Sequence, residues 1–268
     1  MTQAASDEVL YEVSERVATI TLNAAQRMNT ISRTMLDALT AALVRADEDR
    51  EVRCVILTGA GRAFCAGLDV TAMAQGRDTG ILSGGAVRPT LDLRNTPPTV
   101  LHAMDKPVIC AVNGGAAGYG MDLALGCDIR IMAEPAKLAA AFCKRGVLPE
   151  SGSTWLLPRM IGWSKAAQLI FTGRTLTAQE CVEWGLASEV VAADALAARA
   201  RELALEIAAN APLAVQASKR MMRMGWNETF QDHVHHVYLQ LLPLAQSEDT
   251  KEGMRAFAER REPRFEGR

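Results

Sequence analysis

The sequence holds no apolar run of the roughly 18 residues that a membrane-spanning helix needs, which excludes an integral helical membrane protein. The opening stretch, MTQAASDEVLYEV, lacks the basic and apolar regions of a secretion signal, so a cytoplasmic protein with no membrane partner is expected. Histidine is scarce: there are four, and no His-Glu-x-x-His pattern, which excludes the common zinc hydrolases. His233, His235 and His236 share one helical stretch with apolar neighbours and read as part-solvated helix residues rather than metal ligands. The six cysteines (Cys54, Cys65, Cys110, Cys127, Cys143 and Cys181) include no Cys-x-x-Cys. Most sit in apolar runs and read as reduced core thiols, not as disulfides or a zinc site. No Gly-x-Ser-x-Gly is present, so a nucleophile elbow is absent, and no Gly-Lys-Ser/Thr is present, so a P-loop is absent. Charge of neither sign dominates: 29 Lys and Arg against 31 Asp and Glu leave a net charge of −2, which gives no electrostatic case for a nucleic-acid partner.

What is present is an ordinary globular composition, 49% hydrophobic and 22% charged, in 268 residues. That length buries a sizeable core without covalent staples. Alternation over residues 8–22 predicts a strand hairpin with its turn in 12–16. Ser32 caps a predicted helix to about residue 49, with Met35, Leu36, Leu39, Leu43 and Val44 at helical spacing. Buried strands are predicted at 52–58, 107–112 and 128–132, with a fourth at 138–142. Residues 71–90, rich in Gly, Thr and Ser, read as a loop. Residues 91–104 have helical spacing that Pro97-Pro98 interrupts. Residues 118–126 are apolar with helical content, and helices are expected at 152–160, 164–171, 177–184, 193–210, 212–224, 226–246 and 249–261. Strands interleaved with helices in the first 150 residues give an α/β class with a helical remainder.

Two glycine-rich turns, each after a buried strand, carry the chemistry. One is Gly59-Ala60-Gly61-Arg62-Ala63-Phe64-Cys65-Ala66-Gly67-Leu68-Asp69, the other Asn113-Gly114-Gly115-Ala116-Ala117-Gly118-Tyr119-Gly120-Met121-Asp122. Neither fits the dinucleotide pattern Gly-x-Gly-x-x-Gly; the first places Phe64 where the third glycine belongs. A doubly wound dehydrogenase is thereby disfavoured. Glycine allows close backbone approach, and a turn opening a helix presents unpaired N–H groups. Two such turns together can donate two N–H bonds to one oxygen, an oxyanion hole. The same glycines could equally serve close packing alone.

At these residues the sequence resembles the enoyl-CoA hydratase/isomerase (crotonase) superfamily. Phe64-Cys65-Ala66-Gly67-Leu68-Asp69 is similar to its first oxyanion segment, and 111–120 followed by Cys127-Asp128-Ile129-Arg130 to its second. Gly146-Val147-Leu148-Pro149-Glu150-Ser151-Gly152, Leu157-Pro158-Arg159 and Thr172-Gly173-Arg174 extend the likeness, which covers about residues 9–265. It implies a spiral of ββα repeats over 1–195 that carries the CoA and oxyanion site, and a helical oligomerisation region over 196–268. It implies a homotrimer, or a hexamer built as a dimer of trimers, an acyl-CoA thioester substrate, and no cofactor or metal beyond the CoA of the substrate. By position the oxyanion donors are the N–H groups of Leu68 and Tyr119. Gln26, Arg27, Met28, Ala66, Asp69 and Gly118 would border the CoA and substrate. Trp155 would shape the acyl pocket, together with Leu156 and residues 71–90. Phe257 and Arg260, on the terminal helix, would approach from a neighbouring subunit. The arginines of the tail can also be read as a solvated helix face.

Asp122 falls where the family's hydratases carry their first catalytic Glu. A helix N-terminus favours its ionised form, and burial opposes it. The second hydratase Glu is replaced by Phe142, which has no acid–base capacity. Glu150 falls where several Δ3,Δ2-enoyl-CoA isomerases of the family place a single catalytic acid. Asp122 and Glu150 are therefore the two candidate carboxylates, although both positions also suit helix capping. Two carboxylates favour hydration of a 2-enoyl-CoA, which the sequence ranks first. Phe142 and Glu150 favour isomerisation, ranked second. A non-catalytic CoA- or RNA-binding protein of the same fold is the alternative of another class.

Overall fold

The computed structural model describes residues 8–68 and 96–268. Asp69 and the loop expected at 71–90 lie outside the described residues. Val9–Ser14 (β1) and Val17–Leu22 (β2) form the expected hairpin, turned tightly by Glu15 and Arg16, both at positive φ. Hydrophobic runs then supply Cys54–Gly59 (β3), Val108–Val112 (β5), Ile129–Ala133 (β7) and Glu189–Val191 (β10). With β1 and β2 these make a six-stranded sheet in the order β1-β2-β3-β5-β7-β10, parallel except for the first pair. A second sheet of four three-residue strands, Ala63–Cys65 (β4), Gly115–Ala117 (β6), Lys137–Ala139 (β8) and Thr175–Thr177 (β9), runs β4-β6-β8-β9. Each turn of chain thus adds one strand to the large sheet and the next to the small one, a spiral of ββα turns.

Nine α-helices complete the described residues. Ser32 caps Arg33–Glu48 (α1) by accepting from the Met35 N–H at 3.0 Å, and its buried stripe includes Met35, Leu36, Leu39 and Leu43. Pro97 and Pro98 do not interrupt a helix as expected; they open Pro97–Ala103 (α2), where a missing N–H costs nothing. Tyr119–Gly126 (α3) is buried at seven of its eight residues, so it needs no polar face. Ser153–Thr172 (α4) is broken at Gly162, which has φ 74°, so the two expected segments are two arms of one kinked element. Thr177 and Glu180 form a reciprocal cap on Ala178–Trp184 (α5). Leu196–Ala208 (α6) packs on the large sheet through Leu196, Ala200, Ala204 and Ala208. Pro212–Gly225 (α7), Phe230–Ala245 (α8) and Glu248–Glu259 (α9) follow, and α8 buries none of its residues. No helix among the described residues is long and apolar enough to cross a membrane.

The strand expected at 138–142 is only β8, and β4, β6, β9 and β10 were absent from the sequence-based reading. Three residues are too few to show a period of two. The cysteines are all free, and five are buried; Cys143 is exposed.

Arg130 shows how the spiral is fastened. Its guanidinium is buried and donates to the carbonyls of Ala124, Leu125, Cys127, Asp128 and Leu186. It therefore closes the C-terminal end of α3 and ties it to the chain after α5. Arg130→Met should cost about 3 kcal/mol or more in urea unfolding, because it strands these carbonyls. A cost below about 1 kcal/mol would show that the carbonyls find other partners.

Candidate active site

The two glycine-rich turns meet because β4 and β6 are neighbours in the small sheet, Ala63 opposite Gly115 and Cys65 opposite Ala116. Their approach is closer than a side chain permits. A Cβ on Gly120 would lie 2.1 Å from the Cys65 carbonyl oxygen, and one on Gly67, at φ 93°, 2.7 Å from the Ala117 oxygen and 3.6 Å from the Tyr119 nitrogen. Leu68 and Tyr119 are thus held on facing segments. Neither N–H donates a hydrogen bond to another backbone group among the described residues.

Two asparagine side chains fix the first turn. Asn29 is fully buried, accepts from the Ala24 N–H at 2.8 Å, and donates to the carbonyls of Ala60, Ala63 and Phe64 at 2.9, 2.8 and 3.1 Å. Asn113 accepts from the Gly59 N–H at 3.2 Å and donates to Gly61 and Ala63 at 2.9 and 3.2 Å. Sequence reasoning missed Asn29, whose only signal is a polar residue beside Ile31 and the buried stripe of α1.

Asp122 and Glu150 come together. Asp122 lies in the first turn of α3 and has no exposed surface. One carboxylate oxygen accepts from the Ser153 hydroxyl and the other from the Ser151 N–H at 3.1 Å, both at the start of α4. Burial pushes its carboxyl up to about 7, assisted by the charge of Glu150 and opposed by the bonds from Ser153 and Ser151. Glu150 is exposed. Desolvation of its carboxyl also raises it, against hydrogen bonds from its own N–H and from the Ser151 hydroxyl. Phe142 is buried, and its ring edge is the nearest group to Gly118, 3.9 Å from where a Cβ would stand.

The other expected site residues divide. Gln26, Arg27 and Met28 follow Ala24 in a short 3-10 turn, and the Ala66 N–H donates to the Met28 carbonyl at 3.0 Å, so these segments adjoin the first turn. Arg27 is engaged by Glu8 at 2.7 Å. Trp155 is on α4, packed between His102 and Trp226 at ring distances of 5.2 and 5.1 Å, with Arg159 over its face. Phe257 and Arg260 sit on the exposed outer face of α9 and at its end, and are not brought to the turns by this chain's own fold.

The family model for enoyl-CoA hydratase/isomerase matches residues 12–268. The chain belongs to the enoyl-CoA hydratase/isomerase (crotonase) family. Among its relatives, 1,2-epoxyphenylacetyl-CoA isomerase of Escherichia coli is 38% identical over 97% of this chain and 98% of that one. (E)-benzylidenesuccinyl-CoA hydratase of Thauera aromatica is 36% identical over 97% and 99%. The crystal structure of an enoyl-CoA hydratase from Bacillus anthracis superposes with a TM-score of 0.87 at 32% identity, covering 97% of this chain and all of that one. Members of the crotonase family with nearly the same identity to this chain thus carry isomerase and hydratase names.

The raised Asp122 carboxyl has a consequence for stability. The folded state holds this proton more tightly than the unfolded chain, whose carboxyl titrates near 3.8. Stability therefore falls as pH rises from about 4 to about 7 and then levels. Asp122→Asn should remove about 2 kcal/mol of the loss between pH 5 and pH 8, read by urea unfolding at both values. Equal pH slopes in the two proteins would refute the burial account.

Proposed function

We propose that this member of the family forms an enolate from an enoyl-CoA thioester, with Glu150 as the working base. The thioester oxygen is held between the N–H groups of Leu68 and Tyr119, which stabilise the charge that develops there. The CoA lies along Gln26, Arg27, Met28, Ala66 and Gly118, with Trp155 bordering the acyl group. The observation that carries the assignment of the base is the state of Asp122: it has no exposed surface, and both its oxygens are engaged by the start of α4. Asp122 then acts through the Ser151 N–H, orienting the segment that carries Glu150, while Glu150 meets the substrate.

A single base completes one reaction of the family without help. Glu150 takes the α proton of a 3-enoyl-CoA, the charge passes to the thioester oxygen, and the same carboxyl returns the proton to the γ carbon. The double bond moves from position 3 to position 2, and no atom is gained or lost. The engaged state of Asp122 supports Δ3,Δ2 isomerisation as the first reading here, ahead of the hydration that the sequence ranks first. Hydration of a 2-enoyl-CoA is the second reading, favoured by an Asp122 carboxyl that burial, with the charge of Glu150 beside it, raises to about 7. Isomerisation requires proton transfers alone, whereas hydration also bonds a water oxygen to the β carbon while a proton is delivered to the α carbon.

The same reading includes a trimer or a dimer of trimers. Its support is the unpartnered apolar surface of the C-terminal helices, where Met222, Phe230, Tyr238, Leu242, Met254 and Phe257 are all more than 60% exposed. In such an assembly Phe257 and Arg260 would reach the CoA of a neighbouring subunit.

Turnover decides between the reactions. With 3-hexenoyl-CoA, the gain of conjugated thioester absorbance should fall about 10³-fold in Glu150→Gln and less than about tenfold in Asp122→Asn. Loss of crotonyl-CoA absorbance that requires both carboxylates would establish hydration instead. Full activity of Glu150→Gln on both substrates would overturn the assignment of the base.

A further inference from the structure

Asp105, just after α2, holds α7 against the spiral. Its half-buried carboxylate accepts from Arg220 Nε at 3.0 Å and from Arg223 at 3.1 Å, two guanidiniums on one face of α7. Arg223 also donates to the Met104 carbonyl at 3.1 Å, and Lys219 pairs with Asp128 at 2.7 Å. The chain after α7 is pinned as well. The Glu228 carboxylate accepts from Nδ1 of His233 at 3.0 Å and from Nδ1 of His236 at 2.9 Å. Gly225 makes room for the His233 ring, which would stand 3.0 Å from a Cβ there.

Trp226 stands between these two anchors. It is 46% exposed, so the burial of its ring brings only part of the stabilisation a core tryptophan would. Its ring is nonetheless seated on that of Trp155, at 5.1 Å and a tilt of 54°. Trp155 belongs to the first turn of α4, and its N–H donates to the Gly152 carbonyl at 2.9 Å. Ser151 and Ser153, on either side of Gly152, are the two residues that engage Asp122. His102, in the last turn of α2, meets Trp155 edge-on at 5.2 Å, and Arg159 covers the Trp155 face at 4.1 Å. The segment that carries Glu150 is thus held twice, by Asp122 from within and through Trp155 from α2 and the end of α7.

We propose that Trp226 is a positioning residue for Glu150: set by the Asp105 and Glu228 clamps, it braces Trp155 and so fixes the start of α4 and the backbone of Glu150 just before it. The inference rests on the reading of Glu150 as the base. A carboxyl that takes a proton from one carbon and returns it to another must reach both, and a misplacement of about 1 Å can cost on the order of 10² in rate. The C-terminal helices, expected to serve assembly, thereby also serve the site of their own subunit.

The test is kcat and KM on 3-hexenoyl-CoA, with melting temperature and sedimentation of each protein alongside. Trp226→Ala should lower kcat at least about tenfold and change KM less than about threefold, with wild-type sedimentation. Trp226→Phe, which keeps a ring against Trp155, should retain kcat within about threefold. In a Trp155→Ala background, Trp226→Ala should lower kcat less than about twofold further, because the brace has nothing left to act on. Wild-type kcat in Trp226→Ala, or the same loss in both backgrounds, would overturn the inference and leave the Glu150 reading standing. So would a Trp226→Ala protein that fails to fold or sediments as a smaller species, since its loss would then belong to stability or assembly. Full activity of Glu150→Gln in the same assay would remove the base assignment itself, and this inference with it.

Discussion

The site depends on one close approach, the backbone of residues 65–68 against that of residues 117–120 with no side chain between them. Gly120 has no room for a methyl group beside the Cys65 carbonyl, nor Gly67 beside the Ala117 carbonyl. This contact sets the positions of the Leu68 and Tyr119 N–H groups together, and it starts α3 where Asp122 enters the core. It is held from outside by Asn29 and Asn113, which bond the carbonyls of the first turn, and from below by the pairing of β4 with β6. None of these contacts is large. The precision comes from many short-range bonds, each of which would be costly to leave unmade in the interior.

Burial and the helix terminus compete at Asp122, and burial prevails. The start of a helix favours a carboxylate by about 0.3–1 kcal/mol at the surface, and withdrawal from water costs more than that. The Ser153 and Ser151 donors soften the penalty without cancelling it, so the carboxyl rises to about 7. The same bonds join α3 to the first turn of α4, which places Glu150 immediately before the segment that Asp122 grips. One carboxylate is engaged in architecture, while the second, Glu150, stays exposed beside the segment it holds.

Much of this was legible in the sequence. The β1–β2 hairpin, the Ser32 cap and the buried strands β3, β5 and β7 follow from periodicity and turn chemistry, and the two glycine-rich turns mark the site directly. The small sheet was hidden, because its strands are three residues long and paired by topology. Asn29 was hidden for a related reason: its four partners lie 5 and 31 to 35 residues away, and only the folded chain shows them together. The proline pair at 97–98 was read as an interruption where the fold uses it as a beginning. The competition at Asp122 depends on how much surface the fold removes, which a helical pattern cannot give. The sequence marks Tyr119 by its backbone N–H alone, and only the packing around it shows that its hydroxyl is unpaired.

The central claim is that the N–H groups of Leu68 and Tyr119, carried on adjoining segments, polarise a thioester carbonyl. Isotope-edited infrared difference spectroscopy of butyryl-CoA labelled with ¹³C at the carbonyl reads that directly. The account predicts a thioester C=O stretch shifted to lower frequency in the complex than in water, because two fixed donors in a water-poor site draw charge onto the oxygen. A bound ligand whose carbonyl stretch matches or exceeds its frequency in water would contradict it.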